Sequence, residues 1–297
     1  MGDDERGGGR GWAMILLTGV TGTVGRLVAR RLRTDEPVRL LARAPGRIAG
    51  RAGPGTEIVG GDFADPGTLA AALTGVRAAL LVTCDPLAPA HDEHFVTAAR
   101  RAGVRHVVKL SARAVAEPDA TDLITGWQRD NEALLRASGL AWTFLRPRAF
   151  MSNTLGWARS IREEAVVRVF GGAAAHAVVD PRDIADVAVL CLTTAGHEGR
   201  VHALTGPVAI SAAEQLTVLS EVLQRPLRLA ELTRDQALRA LLARCPPPVA
   251  EALMESALRR GSGAKAGVEP TVERLLGRPA TSYRAWAADH ARVFLRG

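Results

Sequence analysis

Thr18-Gly19-Val20-Thr21-Gly22-Thr23-Val24-Gly25 is the stretch whose reading decides the fold. Its glycines are spaced G-x-x-G-x-x-G. It follows at once on the apolar run Met14-Ile-Leu-Leu-Thr18. It also opens an amphipathic segment, Thr23 to Arg33, with Val24, Leu27, Val28 and Leu32 on one side. A short apolar run suits a strand buried on both faces, and the spacing after it suits a helix. Gly19 permits the tight turn, Gly22 lets backbone amides approach a diphosphate, and Gly25 lets helix and strand pack closely. The free amides of the helix start then face an anion.

Working outward, the same rhythm repeats. Strands are expected at Val38–Ala42, Glu57–Gly60, Ala78–Val82, Val104–Leu110 and Trp142–Leu145. Helices are expected near Pro66–Leu73, Asp92–Ala102 and Leu123–Ala137. Alternation at this spacing implies an α/β fold with a doubly wound parallel sheet and right-handed crossovers. After Pro147 the rhythm changes. Helices are expected at 180–192 and 211–223, strands at 201–204 and 227–232, and a helix-rich stretch from Thr233 onward, broken at Pro246-Pro-Pro248 and Gly261-Ser-Gly263. The division expected is therefore a disordered leader over residues 1–13, a cofactor domain over 14–147, and a small, mostly helical substrate region over 148–297 lying across one sheet edge and intertwined with the core.

Composition narrows the class. The chain has 297 residues, 47% hydrophobic and 23% charged, which excludes wholesale disorder. No apolar run reaches about 18 residues, so no membrane-spanning helix is expected. The net charge is +7, and 36 of the 38 basic residues are arginines. They are spread along the chain with no aromatic–basic ladder, so nucleic acid is not the expected partner; the charge favours a small anionic ligand. Cys84, Cys191 and Cys245 are scattered and odd in number, and the seven histidines show no metal spacing. No metal site and no disulfide framework are expected, and a reducing cytoplasm is. A monomer or a homodimer would serve.

The end of the second strand discriminates between nicotinamide cofactors. An acid there would bind the adenosine ribose hydroxyls and repel a 2′-phosphate. Here Leu40-Leu-Ala-Arg43 carries no acid, and a guanidinium can grip a phosphate through two parallel bonds. NADP(H) is therefore expected over NAD(H). The cofactor set comprises Gly19, Thr21, Gly22, Thr23, Val24 and Gly25 in the loop, Arg43, Asp62 and Phe63 around the adenosine, and Val82, Thr83, Ser111 and Pro147 at strand ends. Asp62 can accept from the adenine amino group, with Phe63 bordering the ring.

Together these residues resemble the short-chain dehydrogenase/reductase superfamily, and more narrowly its atypical NmrA-like branch. The resemblance is carried by the glycine loop, Gly61-Asp-Phe63, Gly103-Val-Arg-His-Val-Val-Lys-Leu-Ser111, Ser138-Gly-Leu-Ala-Trp-Thr-Phe-Leu-Arg-Pro147, Phe150-Met-Ser-Asn153, Asp180-Pro-Arg-Asp-Ile-Ala185 and Leu204-Thr-Gly-Pro207. It implies a Rossmann sheet with a small C-terminal substrate region. It also implies kinship with reductases of quinones, azo compounds, triphenylmethane dyes and plant phenolics, and with regulators that sense the cofactor without turning it over.

The superfamily's Tyr-x-x-x-Lys pair is missing. The single tyrosine is Tyr283, and Ile124 and Gln128 stand at the positions that the resemblance assigns to the pair. Gln128 can still bond the nicotinamide ribose. A general acid is worth roughly a hundred- to ten-thousand-fold when an alkoxide forms. Acceptors that spread the incoming charge need less help. The reading is an NADPH-dependent reductase of a conjugated small molecule, quinone-like or resembling an aromatic polyketide. The alternatives are a non-catalytic redox sensor and a tailoring enzyme doing non-redox chemistry. Lys109, Ser111, Gln128 and His176 are the candidate catalytic residues. Trp127, Phe150, Met151 and Asn153 are the candidate substrate contacts.

Overall fold

The computed structural model describes residues 14–32, 37–51, 53–261 and 266–295; the leader expected over 1–13 lies outside them. The first six strands are β1 (Met14–Leu17), β2 (Val38–Ala42), β3 (Thr56–Gly60), β4 (Val76–Leu81), β5 (His106–Leu110) and β6 (Ala141–Pro147). With β8 (Arg200–Leu204) they form a seven-stranded parallel sheet in the order β3-β2-β1-β4-β5-β6-β8. Chain order reverses between β1 and β4, which opens a crevice at the carboxyl ends of those strands.

Alternation along β1 shows why the sheet needs helices on both faces. Ile15 and Leu17 enter one core and Leu16 the other, all three fully buried. The helices α1 (Thr23–Arg31) and α6 (Pro181–Thr193) cover the first face, through Val24 and Val28 and through Ile184, Val187 and Ala188. The second face is covered by α2 (Pro66–Leu73), α3 (Ala90–Arg101) and α4 (Leu123–Ala137). Asp65, Asp122 and Asp180 cap α2, α4 and α6 with their carboxylates, and proline follows two of the three caps at the first helical position.

The second half holds more sheet than its sequence suggests. The strand expected at 201–204 is β8, the seventh strand of the main sheet, and α6 completes the main core beside α1. A short strand not foreseen from the sequence, β7 (Val166–Val169), pairs in parallel with β9 (Arg228–Glu231). The helices α5 (Ala158–Glu164), α7 (Ala212–Val222) and α11 (Tyr283–Leu295) pack a third core around Ile161, Leu219, Trp286 and Phe294. Tyr283 lies in this core, stacked on Trp286 with centroids 5.6 Å apart. Burial pushes its phenol up, so it is no acid for the reaction. The remaining helices are α8 (Arg234–Leu242), α9 (Pro247–Gly261) and α10 (Thr271–Leu276). Among the described residues, no helix is long and apolar enough to cross a membrane.

Candidate active site

The glycine loop has the geometry its spacing requires. Thr18 anchors it: its buried hydroxyl donates to the Leu80 carbonyl (2.9 Å) and accepts from the Val82 amide (2.8 Å). Gly19 has φ of +64°, a left-handed conformation that favours glycine. A Cβ at Gly25 would lie 2.3 Å from the Gly19 carbonyl oxygen. Gly22 is the N-cap of α1 and offers no side-chain acceptor to the first-turn amides. Those donors are thus left for an external anion. Thr21, Gly22 and Thr23 are exposed at the loop's mouth, whereas the Val24 side chain turns into the core.

Beside the loop a pocket is lined by residues from four strand ends, among them Gly19, Arg43, Asp62, Phe63, Val82 and Thr83. The expected adenosine contacts are thus brought together. Arg43 is exposed and makes no ion pair among the described residues. Asp62 accepts from the Ala64 amide at 3.0 Å, a local turn that leaves the carboxylate on the pocket wall. Phe63 is braced by the His91 ring, 5.9 Å away and 30° from parallel.

Two further pockets adjoin the carboxyl ends of β5 and β6. One is lined by Ser111, Ile124, Pro147 and Arg148 among others. The second is a cavity of about 370 Å³ with a largely apolar wall that includes Trp157, Leu241 and Met254. Ala149, Phe150, Asn153, His176 and Leu253 line both, so the two are continuous. His176 is held at that junction by paired backbone bonds with Ile210, at 3.2 and 3.1 Å. Asp122 lines the first pocket as an anion. Burial opposes its charge, but the Thr125 amide and hydroxyl and the Arg259 guanidinium hold its carboxyl below the usual range.

Three expected site residues stand elsewhere. Lys109 is fully buried; its ammonium donates to Asp92 Oδ1 (2.5 Å) and Thr83 Oγ1 (3.3 Å) and lies 5.8 Å from the Trp127 ring centroid. It is enclosed and committed, so it positions Thr83 rather than relaying protons. Trp127 is the wall against which that ammonium packs and lines neither acceptor pocket. Met151 is 1% exposed and packs in the third core, because the turn after Phe150 points it inward.

Ser111 lines the first pocket, but its hydroxyl donates to Glu132 Oε1 at 2.6 Å. Glu132 is in turn gripped by Arg146 through two bonds, at 2.8 and 2.5 Å. Ser111 therefore offers a lone pair to a ligand, not a proton. Gln128 is buried, and its carbonyl oxygen has no hydrogen-bond partner among the described residues. A buried acceptor left open is costly unless something donates to it, as a ribose hydroxyl would.

Residues 19–195 match a family described as NAD(P)H-binding. The chain belongs to that family. Within the NAD(P)H-binding family, it is 57% identical over 281 residues to the (4-alkanoyl-5-oxo-2,5-dihydrofuran-3-yl)methyl phosphate reductase of Streptomyces griseus, a match covering 95% of this chain and 99% of the relative. It is 37% identical to the NAD(P)H azoreductase of Xenophilus azovorans, again over 95% and 99% of the two chains. The fold is that of the NADPH-dependent quinone oxidoreductase QOR2 of Escherichia coli, solved with NADPH. The TM-score is 0.82 at 24% identity, covering 93% of this chain and 99% of that one. This NAD(P)H-binding protein is a reductase of small molecules, and the resemblance to NmrA-like reductases is borne out.

Sequence reasoning missed the arginines that line the acceptor pockets. Arg113, Arg148 and Arg168 are tied to Glu269, Glu117 and Glu164. Arg244, at the rim of the larger pocket, makes no ion pair among the described residues. It follows α8 in a segment read only as helix-rich. No local motif marks it, and only the fold brings it to the pocket.

Proposed function

We propose that the protein transfers hydride from NADPH to the carbon–carbon double bond of an acylated butenolide bearing a phosphomethyl group. The observation that carries this reading is the acceptor cavity: an apolar interior that suits an alkanoyl chain, a polar junction at Asn153 and His176, and at the rim Arg244, which makes no ion pair among the described residues. The relative at 57% identity is named for reducing such a compound, which supports the assignment.

NADPH, when bound, supplies the hydride. The glycine loop and the α1 amides would hold its diphosphate, Arg43 would read its 2′-phosphate, and Gln128 would accept from its ribose. Phe150 and Leu253 border the junction and exclude water. Hydride adds to the ring carbon that bears the phosphomethyl group. The electron pair of the double bond moves to the neighbouring carbon and is shared by the lactone and alkanoyl oxygens; a proton then completes that carbon. Because two carbonyls share the charge, the reaction tolerates Ile124 where a proton-donating tyrosine would otherwise stand. Asn153 donates to a carbonyl oxygen, and His176 returns the proton from solvent. We place the enzyme in the cytoplasm, as a monomer or homodimer, with none of its three cysteines in a disulfide.

Two substitutions test the assignment. A charge-assisted hydrogen bond is worth about 1.5–3 kcal/mol, and Arg244 is exposed, so Arg244→Ala is expected to raise KM about tenfold for the phosphorylated butenolide. It should leave the dephosphorylated compound unaffected. Equal KM changes for both compounds in steady-state assays would place the phosphate elsewhere. Arg43→Asp is expected to weaken NADPH binding by about a hundredfold and NADH little, read by calorimetric titration; equal loss of both means that Arg43 does not read the phosphate.

A further inference from the structure

We propose that Cys191, His197 and His202 form a zinc-binding site at the edge of the main sheet. Cys191 lies in the last turn of α6, His197 in the connecting turn and His202 in the middle of β8. Their donor atoms lie within 4.8 Å of one another. His197 Nδ1 and His202 Nε2 stand 3.2 Å apart. Tetrahedral zinc with Zn–N near 2.0–2.1 Å and Zn–S near 2.3 Å needs neighbouring donors roughly 3.3–3.6 Å apart, so a slight parting of the two rings, which are hydrogen-bonded to each other, and a small approach of the thiol towards them admit the ion.

The surroundings hold the cluster as metal sites usually are held. The other ring nitrogen of His197, Nε2, is bonded to the Thr194 hydroxyl at 3.1 Å, which leaves Nδ1 to face the cluster. The Thr143 hydroxyl donates to the His197 carbonyl at 2.6 Å. Its single proton is thereby used, so it accepts from His106 Nε2 at 2.8 Å, and a chain of bonds fixes the His197 backbone. Cys191 and His202 are buried while His197 is half-buried, so the ion has an entrance on the His197 side and water can complete the fourth position. One soft thiolate and two imidazoles are a donor set that zinc prefers over calcium or magnesium.

The cluster is separate from the active site. His106 opens β5 and Thr143 is near the start of β6, whereas Ser111 and Pro147 stand at the carboxyl ends of those strands. A bound ion would clamp α6 to β8, the edge strand of the sheet.

The test is metal binding by the dialysed full-length protein. One equivalent of zinc is expected by calorimetry, together with a rise in melting temperature. Cobalt(II) in its place is expected to show a thiolate charge-transfer band. Cys191→Ser should remove that band and weaken zinc binding at least tenfold, with NADPH-dependent turnover unchanged. Should that variant fail to fold, His197→Gln in the turn serves instead, with the same expected loss of affinity. Zinc binding that is absent in the wild type, or equal in wild type and variant, overturns the site. So does a thiolate band that survives Cys191→Ser, since Cys84 or Cys245 would then be its source.

Discussion

Replacing Gly25 by valine is expected to weaken NADPH binding by more than about a hundredfold. The reason is backbone against backbone. A Cβ at this position would lie 2.3 Å from the Gly19 oxygen, 2.6 Å from the Gly19 carbonyl carbon and 2.9 Å from the Thr18 oxygen. None of these is the end of a flexible side chain that can swing aside. The start of α1 must move off the loop, and its amides move with it. Overpacking of this kind costs roughly 1–3 kcal/mol in stability, and the displaced donors cost affinity as well. Gly50→Ala is the control, since a Cβ there meets nothing within 4 Å. Calorimetric titration of both variants decides the matter. Affinity within about threefold of the wild type for Gly25→Val would mean that the loop amides do not hold the diphosphate.

The second large effect concerns stability. Asp92→Ala is expected to destabilise the fold by about 3–5 kcal/mol, because it leaves the Lys109 ammonium buried with its counter-ion gone. Asp92 is 1% exposed and Lys109 is fully buried, so water cannot replace the carboxylate. The Thr83 hydroxyl also loses its acceptor at 2.7 Å, and Thr83 lines the adenosine pocket, so cofactor affinity should fall too. Adding Lys109→Met removes the stranded charge and is expected to restore most of the lost stability. Chemical denaturation of the single and double variants measures both. A single variant within about 1 kcal/mol of the wild type would show that the ion pair does not hold α3 to the sheet.

How far the site can be read from sequence follows from how local each feature is. The glycine loop, Arg43 and Gly61-Asp-Phe63 sit at strand ends, and a strand end faces the crevice of a parallel sheet by construction. They were legible for that reason. Lys109 also sits near a strand end, but its partner Asp92 belongs to α3, and pairing across elements is invisible along the chain. Sequence alone puts Met151 on a pocket wall because it neighbours Phe150, yet one residue further along a tight turn reverses the direction of the side chain. The strand β7 is four residues long and follows a helix directly, so its pattern merges with that of α5. The cluster of Cys191, His197 and His202 is not visible along the chain because the histidines alone show no ligand spacing, and the thiol beside them lies in an apolar helix. Arg244 reaches the acceptor pocket only through the packing of the C-terminal helices.

The most direct test uses purified protein, the acylated butenolide phosphate, and NADPH deuterated at its transferable position. One NADPH should be oxidised for each double bond reduced, and NMR should find the deuterium on the ring carbon bearing the phosphomethyl group. No oxidation of NADPH, or deuterium delivered to a carbonyl carbon instead, would contradict the account.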